Sequence, residues 1–253
     1  MEKKVRRPLA VRSPRKRKGS GQERREEILA VAKDLFMTEG FTKVTTRAIA
    51  AKAGLSQTGV YLYFPSKEDI LKTIGEATHD AISAAFDRAM AGPGTPREVF
   101  RRLLRTYIDY GLSHPAEYHL TFTVGPDALS PIGKDFSRPF EEQDAGGRSF
   151  MRFRDHLASL AAAGLMGDLD PMLAAQILWF VGHGTVSLLT TRSHFPWSDR
   201  DTLIAALEDV VIAGLGAAQT SAEAHSDRRP GLSRRKNPLK TRPTNKKTGR
   251  TNR

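Results

Sequence analysis

The sequence contains no cysteine, which excludes disulfide bonds and metal sites built from thiolates. This absence is compatible with a reducing cytoplasm, and no apolar stretch typical of a secretory signal stands near the first residue. The seven histidines lack the spacing of a metal-binding motif, and neither a nucleophile elbow nor a phosphate-binding glycine loop is present. We therefore predict a cytoplasmic protein that is not an enzyme and needs no cofactor or metal.

Strict alternation of apolar and polar residues, the pattern of a β-strand, is also missing. Apolar residues recur at helical spacing instead, as in Ile28, Ala32 and Leu35. We predict an all-α fold of about nine helices, with a linker at 91–96 and a long loop at 125–139. The predicted helices cover residues 22–39, 45–53, 56–63, 67–90, 97–113, 115–124, 140–163, 171–191 and 199–217.

Basic residues are concentrated at the two ends of the chain. The net charge is +12; residues 1–21 hold nine Lys or Arg and one acid, and residues 219–253 hold eleven Lys or Arg and two acids. Both segments bury too little apolar surface to offset chain entropy, so we predict disordered tails. Such tails are attracted to polyanions, with DNA the first candidate. The alternative is that they only keep the protein soluble.

One uncharged stretch, residues 171–191, is long enough to cross a bilayer. It includes Gln176, His183, Ser187, three threonines and two glycines, and no second stretch of this kind occurs. We predict no membrane association, and a helix that is buried on most sides in a soluble protein.

Residues 45–64, TTRAIAAKAGLSQTGVYLYF, place two short helical patterns on either side of a glycine. Two helices joined by a turn of three or four residues form a helix-turn-helix. Gly54 must adopt a backbone conformation that most residues avoid, and Ala50 must be small because the two helices cross there. The small core of this unit is predicted to contain Ile49, Leu55, Val60 and Phe64.

The remaining side chains of the second helix of this pair are predicted to face outward or lie at the rim. They are Gln57, Thr58, Gly59, Tyr61 and Tyr63. Uncharged polar residues at the start of such a helix suit the base edges in a DNA major groove. Tyrosine hydroxyls reach bases or phosphates, although both tyrosines have the alternative role of covering the small core.

Further DNA contacts are predicted at two helix starts. Thr45 and Thr46 open the first helix of the pair, where backbone N–H groups favour an anion, and ordinary helix capping is their alternative role. Arg47 lies just inside the same helix start and can reach a phosphate or a guanine. Lys67 opens the fourth helix and would bind a second phosphate.

The segment ILAVAKDLFMTEGFTKVTTRAIAAKAGLSQTGVYLYFPSKEDIL resembles the DNA-binding domain of the TetR family of bacterial transcriptional regulators. The matching pieces are A..LF...G, TT..IA..AG.S.G..Y.YF and K..L, in register over residues 24–71. Leu62 stands where a polar or aromatic residue is frequent in that family. The resemblance implies an all-helical dimer whose second domain binds a small effector and thereby releases a DNA operator. It also implies DNA contacts by Thr45, Thr46, Arg47, Ser56, Gln57, Thr58, Gly59, Tyr61, Tyr63 and Lys67.

The sequence after the linker holds one further signature, LWFVGHG at 178–184, which is similar to a Trp-x-x-x-His-Gly pattern in a subset of TetR-like C-terminal domains. Trp179 and His183 are four residues apart and share a helix face. They either line a ligand pocket as wall and polar anchor or form a packed pair in the core. The same alternatives apply to the aromatic residues Tyr107, Tyr110, Tyr118, Phe122, Phe150 and Phe153. With no charged cluster to identify a ligand, we expect a largely apolar small molecule.

The last predicted helix carries an apolar stripe that suits an interface between two copies of the chain. The stripe consists of Leu203, Leu207, Val210, Val211, Gly214 and Leu215. With helix 171–191 it would form a four-helix bundle across a two-fold axis, and Gly182 and Gly184 would let another helix approach. A single helix-turn-helix reads only a few base pairs, so a homodimer suits specific binding.

The predicted domains are a basic tail at 1–21, a helix-turn-helix DNA-binding domain at 22–70, a helical effector-binding and dimerisation domain at 71–218, and a second tail at 219–253. The favoured function is sequence-specific regulation of transcription by a dimeric repressor, released from a palindromic operator by a small molecule. The alternative is a protein that compacts DNA without sequence preference through its tails, with an affinity that falls steeply with salt.

Overall fold

A computed structural model describes residues 21–129, 139–166 and 169–226 of the chain. These residues form helices joined by short turns, with no strand among them, so the predicted all-α class is confirmed. The helices are α1 (Gly21–Glu39), α2 (Thr46–Lys52), α3 (Gln57–Tyr61), α4 (Lys67–Ala91), α5 (Pro96–Ser113), α6 (Pro115–His119), a π-helical turn (Leu120–Val124), α7 (Gly125–Leu129), α8 (Phe140–Gln143), α9 (Ala145–Ala162), α10 (Pro171–Thr191) and α11 (Arg200–Ser226).

Two regions differ from the predicted helix boundaries. Residues 125–129, placed in the long loop, continue the helical path of α6 and the π-helical turn as α7, and 130–138 lie outside the described residues. The predicted helix 140–163 is broken at Asp144, whose carboxylate accepts a hydrogen bond from the Gly147 N–H at 2.8 Å and so caps α9. Apart from these two changes, the predicted order of helical stretches along the described residues is correct.

Both predicted tails lie almost entirely outside the described residues. The exception is the start of the C-terminal tail, since α11 continues to Ser226 rather than ending near residue 217. Contacts group the chain up to Gln219 into one compact unit, and a second unit begins at Thr220. Only the last turns of α11 represent that second unit among the described residues.

Two of the three hydrophobic clusters in the compact unit share helix α4. The N-terminal core packs α1, α2, α3 and the start of α4, and its fully buried side chains include Ile28, Ala32, Val44, Ile49, Val60 and Ile70. The second core packs the rest of α4 against α5, α9, α10 and α11 through Phe86, Phe100, Leu103, Leu157, Leu178 and Ile212. The N-cap of α4 is Ser66, whose hydroxyl oxygen accepts from the Asp69 N–H at 3.1 Å.

Helix α10 is the apolar stretch that is long enough to span a membrane, and it is the one such helix among the described residues. Its buried face packs in the core through Ala174, Ala175, Leu178, Gly182 and Val186. The opposite face is exposed, so the expectation that this helix is buried on most sides is wrong for the single chain. The exposed apolar residues of α10 include Leu173, Ile177, Phe180 and Leu188.

Helix α11 also differs from its predicted stripe. Its buried residues are Ile204, Glu208, Ile212 and Leu215, whereas Val210 is exposed. The predicted stripe therefore divides between the core and the surface. Arg101 on α5 lies 3.3 Å from the buried Glu208 carboxylate and also pairs with Asp209, which ties α11 to α5.

Two glycines let α5 and α10 approach closely. A Cβ atom on Gly182 would lie 2.8 Å from the Tyr107 ring, and one on Gly111 would lie 2.6 Å from the Val186 side chain. The glycine predicted to admit another helix therefore does so inside the chain. Gly184 has nothing within 4 Å of its Cβ direction.

We predict that Gly182→Ala lowers the free energy of unfolding by about 1–3 kcal/mol, because the buried Tyr107 ring must move to admit the methyl group. Gly184→Ala, two residues along the same helix, is the matched control. It meets open space and should leave stability unchanged or raise it by up to ~1 kcal/mol through helix propensity. Urea denaturation of both variants measures the difference, and equal midpoints would contradict the proposed contact.

Candidate nucleic-acid interface and ligand cavity

Helices α2 and α3 form the predicted helix-turn-helix. The turn passes through Gly54 at φ 67°, the left-handed conformation expected for this residue. The Leu55 N–H then donates to the Ala50 carbonyl at 2.8 Å, and Ser56 caps α3 by accepting from the Gly59 N–H at 3.0 Å. Ala50 and Val60 are buried between the two helices, which fixes their relative orientation.

The outer side of α3 presents a polar tip to solvent. The tip is formed by Gln57, Thr58 and Tyr61, all exposed, and the Gln57 amide donates to the Tyr61 hydroxyl at 3.1 Å. This hydrogen bond spans one helical turn and holds an amide and a phenol side by side. Directly after Tyr61 stands Leu62, which is 80% exposed.

The two other aromatic residues of the YLYF segment pack inward. Phe64 is 2% exposed in the N-terminal core, as predicted, and the Arg25 guanidinium lies 4.8 Å from its ring centre. Tyr63 is half-buried and packs against the same core. Of the two tyrosines, Tyr61 is therefore the one that is exposed to solvent.

The start of α2 carries the predicted threonines and arginine. The Thr45 hydroxyl oxygen accepts from the Ala48 N–H at 3.2 Å and so caps the helix. Thr46 is half-buried and Arg47 is exposed. Capping is thus the role that the structure gives Thr45, and DNA contacts by these three residues stay predictions.

Lys67 contacts backbone carbonyls in the structure, and the phosphate contact predicted for it stays a prediction. Its ammonium group donates to the carbonyls of Phe41, Thr42 and Val44 at 2.8, 3.3 and 3.0 Å, and it lies 4.4 Å from the Phe41 ring centre. These contacts use all three N–H donors of a lysine. Lys67 therefore closes the turn between α1 and α2 onto the start of α4.

The second domain encloses a cavity of about 960 Å³ between α4, α5, the π-helical turn, α9 and α10. Most of its lining is apolar, in agreement with the expected ligand class. Five of the eight predicted ligand residues line it, namely Tyr107, Phe122, Phe150, Phe153 and Trp179. Tyr110, Tyr118 and His183 do not, and Tyr110 instead stacks on His114 with ring centres 4.5 Å apart.

Behind the cavity wall, the other two predicted residues form a hydrogen-bond chain. The Tyr107 and Tyr118 hydroxyls are 3.0 Å apart, and the Tyr118 hydroxyl is 2.6 Å from Nδ1 of His183. Burial lowers the pKa of His183, so we assign a neutral imidazole whose Nδ1 accepts from Tyr118, while Tyr107 donates to Tyr118. His183 is thus engaged by a protein hydroxyl rather than open to a ligand.

Burial keeps both phenols of this chain protonated. Burial raises the pKa of Tyr107 to about 12, against the opposing effect of hydrogen bonds with Tyr118 and Trp179. Burial also raises the pKa of Tyr118. Trp179 and His183 therefore act through one network with the two tyrosines, which combines the two roles that the sequence left open: Trp179 lines the cavity and His183 packs behind it.

Sequence reasoning missed the polar residues of the cavity wall, among them His79 on α4 and Thr121 in the π-helical turn. A weak signal for His79 exists, because Gly75, His79, Ile82 and Phe86 recur at spacings of three and four on one face of α4. Nothing in the sequence marks the π-helical turn or the Thr121 hydroxyl within it.

Among the described residues, no cluster of three or more histidine, aspartate or glutamate side chains is suited to a metal ion. The two candidate functional sites in this part of the chain are the polar tip on α3, which suits DNA, and the apolar cavity, which suits a small molecule. A helix-turn-helix joined to a helical domain with a cavity defines a ligand-responsive class of DNA-binding regulator.

Comparisons with known proteins identify the family. A model described as "Bacterial regulatory proteins, tetR family" matches residues 28–74, and one described as "Tetracyclin repressor-like, C-terminal domain" matches residues 100–222. The chain therefore belongs to the TetR family, in which the N-terminal match contains the helix-turn-helix and the C-terminal match contains most of the cavity wall.

Individual relatives agree with this assignment. The HTH-type transcriptional regulator EthR of Mycolicibacterium smegmatis is 34% identical over 132 residues, covering 50% of this chain and 59% of that protein. The nucleoid occlusion factor SlmA of Photobacterium profundum is 32% identical over 93 residues, covering 36% of this chain and 47% of that protein. The chain thus spans about half the length of these curated relatives.

A solved structure shows the same fold. A bacterial regulatory protein in the tetR family from Rhodococcus RHA1 has a TM-score of 0.60 and 22% identity, covering 77% of this chain and 97% of its own.

We predict that Lys67→Met lowers the free energy of unfolding by about 1–3 kcal/mol, because it leaves the carbonyls of the α1–α2 turn without their donor. Lys72→Met is the matched control on the same helix. Its ammonium group is largely exposed and lies 3.9 Å from Glu76, so its removal should change stability by less than about 0.5 kcal/mol. Normal stability with uniformly weaker binding to all DNA would instead assign Lys67 to phosphate contact.

Proposed function

We propose that this TetR-family protein is a cytoplasmic, dimeric transcriptional repressor that binds a palindromic operator and is released by a small molecule in the cavity. The observation that carries this proposal is that two side chains belong both to the N-terminal core and to the cavity wall. Leu71 and Leu120 are buried in the N-terminal core beneath the helix-turn-helix, and both also line the cavity. A ligand that fills the cavity therefore touches the packing that orients α2 and α3.

The DNA surface in this proposal is the polar tip of α3 with the exposed start of α2. The amide of Gln57 and the hydroxyl of Tyr61 are positioned together by their hydrogen bond, and amide groups suit adenine edges in the major groove. The exposed Arg47 stands at the start of α2, where it suits a phosphate or guanine contact.

A second copy of the chain is the proposed occupant of the exposed face of α10 and α11. Phe180 and Val210 are 69% and 68% exposed, a costly arrangement for large apolar side chains in water. Gly184 and Gly214 also have open space around them, which suits close helix packing across a two-fold axis. Dimerisation places two polar tips on one duplex, as specific recognition of a palindrome requires.

Contacts between the two domains support coupling from the cavity to the DNA surface. The Lys33 ammonium on α1 lies 2.5 Å from the Glu117 carboxylate on α6, directly before the π-helical turn that lines the cavity. The partly buried Leu129 packs against the N-terminal core and also lines the cavity. A ligand that shifts α6 or the π-helical turn thus alters the support of α1.

The alternative, compaction of DNA through the basic tails, depends on segments outside the described residues. Selection of genomic fragments separates the two functions. A sequence-specific repressor enriches a short palindrome that survives competitor DNA, whereas a compacting protein enriches no common sequence and loses all binding steeply as salt rises.

For the selected palindrome we predict that Gln57→Ala and Tyr61→Phe each weaken binding by about 10- to 100-fold while affinity for random duplex changes little, since a base contact is worth ~1–3 kcal/mol. Gln143→Ala, on α8 in the second domain, is the matched control and should bind as the unaltered protein does. Fluorescence anisotropy with labelled duplexes measures all three. An equal loss on operator and random DNA would refute base reading by the tip.

A further inference from the structure

We propose that the effector is an amphiphile with an uncharged hydrogen-bonding head, and that Thr121 and His79 bind this head at the end of the cavity nearest the helix-turn-helix. The inference rests on the proposed function, because it specifies the ligand of the same cavity. It assigns a role to two of the polar cavity residues that lie outside the hydrogen-bond chain of Tyr107, Tyr118 and His183.

The cavity changes polarity along α4. Lining residues of this helix run from Leu71 to Phe86, a distance of about 22 Å at ~1.5 Å per residue. After Leu71, its first two turns contribute polar or small residues, with Gly75 and His79 on the cavity side. The next two turns contribute Ile82 and Phe86. A ligand lying along α4 therefore meets a polar end first and an apolar end further on.

Thr121 has a buried hydroxyl with no hydrogen-bond partner among the described residues. Other helical threonines in this chain satisfy the hydroxyl locally, since Thr73, Thr78, Thr106 and Thr185 each donate to the carbonyl four residues earlier at 2.6–2.9 Å. Thr121 lies in the π-helical turn, where this bond is absent. Such turns are frequent at functional sites, and an unsatisfied buried hydroxyl is one that a ligand can satisfy.

His79 is the second polar group at this end. Its ring packs edge-on against Phe122 with ring centres 5.2 Å apart, and the residue lines the cavity. A Cβ atom on Gly146 would lie 3.2 Å from Nε2, so a glycine at this position keeps the imidazole clear of a side chain. Burial lowers the pKa of His79, with Asp144 acting in the opposite direction, so the ring is neutral and offers one donor and one acceptor.

The charges around this end disfavour an ionised head. Asp144 and Asp80 act on the His79 charge and would repel a carboxylate, and the smaller effect of Arg148 opposes them. The Lys72 ammonium, which would attract one, is 3.9 Å from the Glu76 carboxylate and largely exposed. A hydroxyl or carbonyl head matches the neutral imidazole and hydroxyl without leaving a buried charge unpaired.

The far end of the cavity suits an apolar chain or ring system. Phe86 stacks on Phe153 with ring centres 4.9 Å apart, and Phe150 contacts the Trp179 ring edge-on at 5.8 Å. Trp179 therefore lines the cavity and can report on its occupancy. The chain contains two tryptophans, so Trp197→Phe leaves Trp179 as the single indole.

The test titrates that single-indole protein with 1-decanol, decanoate and decylamine and follows Trp179 fluorescence. We expect 1-decanol to bind at least tenfold more tightly than either charged compound. In the same background, Thr121→Val and His79→Phe should each weaken 1-decanol about tenfold, the loss of one hydrogen bond, and Thr121→Val should not lower the unfolding temperature of the free protein. Thr106→Val, the same substitution at a satisfied hydroxyl away from the cavity, should leave 1-decanol affinity unchanged.

Tighter binding of decanoate or decylamine, or unchanged 1-decanol affinity in Thr121→Val, overturns the assignment of an uncharged head. Operator binding of the same preparation is measured in parallel. If the operator is bound and none of the three compounds enters the cavity, this inference fails and DNA regulation stands. If 1-decanol binds as expected but leaves the operator bound, the head-group site is supported and release by a cavity ligand fails.

An independent observation concerns Leu62, and the geometry points to a contact with the methyl group of a thymine. At 80% exposed, it is the most exposed large hydrophobic residue among those described. Its N–H donates to the Thr58 carbonyl at 3.2 Å, so Leu62 and Thr58 lie one turn apart on the polar tip. Apolar side chains and threonine methyls recognise the thymine methyl group in the major groove.

Replacement of thymine by deoxyuridine at single positions of the selected operator tests this contact, because it removes only the methyl group. At one position in each half-site, the replacement should weaken binding of the unaltered protein by about 3- to 10-fold, and Leu62→Ala should be insensitive to it. Met37→Ala, at an exposed apolar residue of α1, should keep the full sensitivity. If no position distinguishes Leu62→Ala from the unaltered protein, the contact does not exist; if no operator can be selected, the proposed function fails first.

Discussion

Helix α4 is the constraint on which the rest of the structure depends. It is a single uninterrupted helix whose first turns are buried in the N-terminal core through Ile70 and Leu71 and whose last turns are buried in the second core through Phe86 and Ala89. Packed interiors are close to the density of molecular crystals, so neither end can move without repacking. The cavity lies along the stretch between these ends, which makes α4 both a wall of the cavity and a support of the helix-turn-helix.

The polar groups of the second domain fall into two classes with different consequences. Tyr107, Tyr118 and His183 satisfy one another, and a buried network of this kind fixes the α5–α10 pairing where Gly182 admits the Tyr107 ring. Thr121 has a buried hydroxyl with no partner among the described residues, and His79 lines the same cavity against Phe122, which also contacts Tyr118 and His183. A ligand adds little stabilisation to polar groups that already bond one another. It adds a complete new hydrogen bond to a polar group that has no partner. The polar groups that recognise a ligand are therefore the ones that the fold itself leaves unpaired.

The sequence predicted best where local rules decide the outcome. Gly54 must reverse the chain, and Phe64 is expected in the small core; both have the expected environment. Lys67 could not be placed in this way, because its partners are carbonyls more than twenty residues earlier in the chain. The cavity lining was only partly predictable for the same reason. An aromatic stripe such as Tyr107 and Tyr110 shows that a side is apolar, but which ring meets empty space depends on helices elsewhere in the chain.

The exposed side of α10 could not be predicted for a similar reason, because an apolar sequence does not determine what each face of a helix packs against. Residues 171–191 are apolar on every side, and such a helix is compatible with a core, a membrane or an interface. One side is accounted for by Ala174, Leu178 and Gly182, whose small or close-packed side chains match α5 and α9. The other side carries Phe180 and Leu188, both exposed, and Val210 of α11 is exposed as well. These apolar side chains, with the open space at Gly184 and Gly214, are what the proposed second copy would cover, and covering them would remove large apolar groups from water.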